Sequence, residues 1–147
     1  MLRRAFLALS LLLWLGAWSG AAMAAQVVDA TGRSVQVADH VAHVLPAGPP
    51  AAVLLAALAP DLMLGWPSPV SEESRAFLAP EAARLPQIPR LTGREDVTDK
   101  IVALKPDLIV DYGTVSPRYA DLAQATQQRT GVPTVLLDGS VAVRRKV

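Results

Sequence analysis

The sequence predicts an α/β fold: a mostly parallel sheet with flanking helices, preceded by a small β-hairpin. Three observations carry this. Apolar runs of strand length, Leu108-Ile109-Val110 and Val135-Leu136-Leu137, lack polar alternation, as strands covered on both faces do. Helical patterns separate such runs, and alternation of strand and helix means parallel strands with helices on the sheet faces. Prolines and glycines fall at the seams: Pro50 and Pro117 suit first helical turns, and Gly131 suits a helix stop.

Residues 1–24 read as a cleavable export signal outside the fold. Arg3 and Arg4 form a positive start, Ala5 to Trp18 is uncharged and apolar, and Ala22-Met23-Ala24 supplies small residues for cleavage. The apolar run is short for a spanning helix, which needs about 20 residues. About 120 residues remain, enough for one core.

Val27-Val28, a turn at Ala30-Thr31-Gly32-Arg33 and the alternating Ser34-Val35-Gln36-Val37 predict the hairpin. His43-Val44-Leu45 begins a strand, ended by Pro46-Ala47-Gly48-Pro49-Pro50. Ala51 to Ala59 is a helix so apolar that it calls for cover on more than one face. Leu62 to Trp66 predicts a short strand. Ser71 opens a helix with Glu72 and Glu73 near its positive end, reaching about Arg84 with a break at Pro80. Leu85 to Pro89 is extended. Val97, Ile101 and Leu104 lie on one helix face, with Asp96 as a cap and Pro106 as a stop. A strand over 107–111 follows. A helix from Ser116-Pro117 packs through Tyr119, Leu122, Ala123 and Thr126, and the strand 132–137 comes last.

Composition excludes several functions. The net charge of +1 includes the two signal arginines, and no basic stripe suits a nucleic acid. Fifty-two per cent hydrophobic residues mean a globular chain. Without cysteine there is no disulfide and no lipidated cysteine anchor, which fits an unlipidated protein of a Gram-negative periplasm. His40 and His43 are three apart, a spacing that sends strand side chains to opposite faces, so no zinc site is expected. No nucleophile elbow, P-loop or dinucleotide fingerprint is present. Asp107, Asp111 and Asp138 lie near strand ends without a paired base or nucleophile.

Ligands of open parallel sheets bind beyond the carboxyl ends of the strands. That rule selects the loops 46–49, with Gly48; 66–68, opened by Trp66; 112–115, with Tyr112 and Thr114; and 138–140. Trp66 and Tyr112 can offer aromatic faces to a ligand, or serve as rim residues. Arg94, before a helix start, can pair with an anionic ligand or with Glu95 or Asp96.

The run from Thr98 to Val110, TDKIVALKPDLIV, resembles the signature of the iron-complex and vitamin B12 periplasmic binding proteins that serve ABC importers. Asp29-Ala30-Thr31-Gly32-Arg33, Leu64-Gly65-Trp66 and Gly131-Val132-Pro133-Thr134-Val135 match further family segments, so the resemblance covers nearly all of 26–140. It implies a Rossmann-like lobe of a two-lobe protein. A ferric siderophore, haem or cobalamin would lie in a cleft walled by Gly48, Trp66, Arg94, Tyr112 and Thr114. No cofactor or catalysis is implied. It also implies that Asp99 docks the membrane permease. The family usually has glutamate there, one methylene longer, and a first-turn carboxylate beside the helix dipole explains Asp99 equally well. Residues 25–140 would form the N-terminal lobe and 141–147 an atypical basic tail, with no linking helix or second lobe following. The expectation is a truncated binding protein, whose one wall would give affinity only on the order of millimolar. A non-functional gene remnant and a small periplasmic α/β enzyme are the competing readings.

Overall fold

The computed structural model describes residues 24–91 and 96–140. The expected export signal, apart from Ala24, and the basic tail lie outside these residues.

Strands β1 (Ala24–Val28) and β2 (Ser34–Ala38) form the antiparallel hairpin. Gly32 takes the turn with φ +82°, which a side chain at that position would resist. Val35 and Val37 are buried while their neighbours in β2 are exposed, the period of two of a one-sided strand.

The main sheet has three parallel strands in the order β3 (Val44–Pro46), β4 (Leu108–Gly113) and β5 (Thr134–Asp138). Its alternation divides the core. Val44 and Val110 point to one face, with Val35, Val37, Leu55, Met63 and Trp66. Leu45 and Ile109 point to the other, with Ile88, Val97 and Ile101. Helix α1 (Pro49–Leu58) covers the first face through Ala52 and Leu55. Helix α4 (Thr98–Ala103) brings Ile101 to the second, and α5 (Pro117–Thr130) packs beside it. Among the described residues no helix is long and apolar enough to cross a membrane.

Four expectations are corrected. Leu62 to Trp66 is not a strand. It makes one bridge from Met63 to Val44 and another from Trp66 to Gln87. The three residues of β3 are too short to hold it, and it changes partner before a ladder forms. The helix expected from Ser71 to Arg84 does break at Pro80 as expected, but its two parts are single turns, α2 (Glu72–Arg75) and α3 (Pro80–Ala83). Pro80 cannot continue a helix from behind but suits the first turn of a new one. Asp96 is not the helix cap; Val97 is, while the Asp96 carboxylate accepts from the Thr98 N–H at 3.0 Å. Helix α1 is covered on one face only, leaving Val53 and Leu58 exposed among the described residues.

The K-P-D segment ties the sheet together. Asp107 accepts from the backbone N–H groups of Ala42 and His43, both at 2.8 Å. Those amide bonds hold its carboxyl below the usual carboxylate range. They pin the entry of β3 beside the entry of β4. Asp107→Ala is expected to cost about 1 kcal/mol, since water can reach the freed amides. Denaturant unfolding checks this, and an unchanged midpoint would count against it.

Candidate functional site

The carboxyl ends of β3 and β4 open onto a concavity of 760 Å³. Each wall has a local cause. After β3, Gly48 stands extended at the N-cap of α1, and Pro49 and Pro50 fill the first helical turn. The last three residues of β4, Asp111, Tyr112 and Gly113, and Thr114 beyond them form the floor. Arg118, Asp121, Leu122 and Ala125 of α5 form a side, their spacing of three and four placing them on one helical face. Arg90 and Leu91 close another side, held there because the Leu91 N–H donates to the Ala47 carbonyl at 3.2 Å.

Tyr112 is held by the neighbouring strand end. The Gly139 N–H donates to the Gly113 carbonyl at 2.8 Å, bringing the 138–140 loop against the ring. A Cβ on Gly139 would come within 2.9 Å of the Tyr112 Cζ, so the ring lies on bare backbone. This close approach sets the tyrosine orientation. The loop 138–140 thus supports the pocket without lining it.

Burial raises the Asp111 carboxyl above the ordinary carboxylate range, against the lowering effect of its bond from the Tyr112 N–H. That bond, at 2.9 Å, is the one hydrogen bond the Asp111 carboxylate makes among the described residues. No cluster of three or more His, Asp or Glu side chains suited to a metal exists among those residues.

The structure brings Gly48, Tyr112 and Thr114 together on this pocket and places Trp66 elsewhere. Trp66 is 8% exposed, and its Nε1–H donates to the Ala82 carbonyl at 2.8 Å. The indole therefore anchors α3, and its edge borders a separate apolar hollow of 390 Å³ with Val53 and Leu78. Arg94 lies outside the described residues. Asp99 is exposed in the first turn of α4. Sequence reasoning missed Arg118 and Asp121. Leu122, assigned to core packing, faces the pocket, and Tyr119 is 38% exposed at its edge, whereas Ala123 and Thr126 are buried as expected. The signal available was the set 118, 121, 122 and 125, a mixed-charge helix face following a strand-end loop.

A parallel sheet with a pocket at the carboxyl ends of its strands defines an α/β lobe, the architecture in which ligands bind at that edge. Solved structures narrow this to the fold of periplasmic solute-binding proteins. An ABC transporter solute-binding protein from Sulfurospirillum deleyianum superposes with a TM-score of 0.63 at 18% identity, over 78% of this chain and 36% of that one. A periplasmic solute-binding protein from Veillonella parvula gives 0.58 at 14% identity, over 81% and 36%. The Haemophilus influenzae protein MolA, bound to molybdate, gives 0.55 at 16% identity, over 78% and 34%. The chain thus spans about a third of the length of the solved structures it resembles. No protein-family model and no curated protein matches the sequence.

Proposed function

We propose that this chain supplies the ligand-binding wall of a solute-binding protein for an ABC importer, acting in the periplasm on an iron complex or cobalamin. The observation that carries the reading is the convergence of Gly48, Tyr112 and Thr114 on one strand-end pocket, in a fold shared with solute-binding proteins. Tyr112 offers an aromatic face, Thr114 a hydroxyl, and Gly48 lets a ligand approach the backbone closely. The role is capture and delivery, with no bond made or broken. Arg94 is assigned to the same ligand and Asp99 to the permease, both by the sequence resemblance.

Nuclear magnetic resonance of the 147-residue chain tests this, because one wall gives weak affinity. Titration with gallium siderophores (diamagnetic stand-ins for ferric ones), haemin and cobalamin is expected to move the amides of residues 111–114 and Gly48. Tyr112→Ala should weaken that binding by at least about fivefold through the lost aromatic contact, leaving the fold intact. Absence of any response at these amides, with every chelate at millimolar concentration, would refute the assignment.

A further inference from the structure

We infer that the pocket selects ligands of mixed charge, taking a protonated amine or similar cationic donor on the Asp111 carboxylate and a polar or anionic acceptor of the same ligand on Arg118. The inference rests on the transport reading above and narrows its ligand class. Among the described residues four charged side chains line the concavity, Arg90 and Arg118 against Asp111 and Asp121, so a ligand there meets both signs.

Asp111 is the informative member. It is half-buried at the end of β4, and its Oδ1 accepts from the Tyr112 N–H. Among the described residues nothing donates to Oδ2. A carboxylate partly withdrawn from water with one amide donor is poorly compensated, and a charged donor restores what burial removed. Arg118, exposed in the first turn of α5, makes no ion pair among the described residues. The described residues therefore leave an acceptor and a donor facing the pocket. The upward shift of the Asp111 carboxyl follows from the same burial. A bound cation would oppose that shift, so affinity for a cationic ligand should rise as pH rises through the Asp111 titration. Among the described residues Arg90, Arg118, Asp121, Tyr112 and Tyr119 are the other charged or titratable groups facing the pocket.

The test compares two probes that differ only in the amine. Gallium(III) desferrioxamine B carries a pendant ammonium, and its N-acetyl derivative has the same metal-hydroxamate core without that charge. Each is titrated into the isotope-labelled 147-residue chain. The amine form is expected to bind about tenfold tighter, as for a hydrogen bond between charged groups. Asp111→Asn should abolish the preference by weakening the amine form alone, and Arg118→Gln should weaken both forms. Lowering the pH from about 7 toward about 4 should erode the preference in the unsubstituted chain. Equal affinities for the two probes in the unsubstituted chain, a comparison independent of any variant's folding, would overturn the inference. So would a preference that survives Asp111→Asn. Equal binding of both probes, or binding of haemin or cobalamin but of neither probe, would overturn the inference and leave the transport reading standing. No binding of any chelate would remove both.

Discussion

Replacing Asp29 by alanine is expected to destabilise the chain by about 3 kcal/mol, because it breaks a buried ion pair that fastens the hairpin to the sheet. The Asp29 side chain is fully enclosed. Its Oδ1 accepts from the Thr31 N–H at 2.9 Å, the Thr31 hydroxyl at 2.6 Å and the Arg33 N–H at 3.1 Å. Its Oδ2 accepts from the Arg33 Nε at 3.0 Å, and Arg33 Nη2 reaches on to the Thr134 carbonyl at 3.0 Å. One backbone bond, from the Ala30 N–H to the Leu136 carbonyl at 2.9 Å, completes the attachment to β5. Without the carboxylate, the guanidinium is left partly buried beside polar groups that need a partner. Burial alone would raise the Asp29 pKa, but the bonds from Thr31 and Arg33 outweigh it and lower the value from 3.8 to about 2. A depressed carboxylate stabilises the fold above its unfolded pKa, and that stability is lost as pH falls through the folded value. The shift corresponds to about 2 kcal/mol, present above about pH 4 and lost toward pH 2. Urea unfolding at pH 7 and across this acid window reads both effects. Equal midpoints for the two proteins at pH 7 would mean that Val35 and Val37 hold the hairpin alone.

The hairpin and its turn were legible because Gly32 and the alternation of β2 are local signals. The contact that docks it was not, since the hydrogen bond from Arg33 to the Thr134 carbonyl joins distant parts of the chain. Strands β4 and β5 were legible from their apolar runs. The segment 62–66 carried the same signal, but a strand also needs a partner of matching length, which β3 does not provide. In the pocket, the strand-end rule located Gly48, Tyr112 and Thr114 because it depends on topology alone. It also selected Trp66, which ends no strand and whose indole instead bonds the Ala82 carbonyl. It missed Arg118 and Asp121 because hydrophobic periodicity marks the buried stripe of α5 and is silent on which polar positions turn toward a neighbouring loop.

Gly65→Ala is expected to be as damaging as the loss of Asp29, at about 3 kcal/mol, though it adds a single methyl group. The glycine is needed for space and not for an unusual backbone angle. A Cβ there would stand 2.5 Å from the Pro86 carbonyl oxygen and 2.5 Å from Ile88 Cγ2. Ile88 is buried in the second core layer, and the Pro86 oxygen is fixed by accepting from the Trp66 N–H at 2.9 Å. Neither neighbour can yield without breaking a packed contact or a backbone bond, which puts the cost at the upper end for overpacking. Ile88→Ala in the same chain should recover only part of the loss, because it removes the methyl clash and leaves the carbonyl one. A double-mutant cycle by urea unfolding separates the two. Full recovery would show that the backbone had moved freely and that the Pro86 contact is unimportant. The same substitution should reach the pocket. Residues 86–88 lead directly into Arg90 and Leu91, which line it, and Leu91 is tied to Ala47 beside Gly48. Displacing that segment should shift the Leu91 and Gly48 amides in the spectrum of the remaining folded fraction. Tyr112 and Thr114, held by β4 and the Gly139 contact, should stay where they are, so one pocket wall would move against a fixed floor.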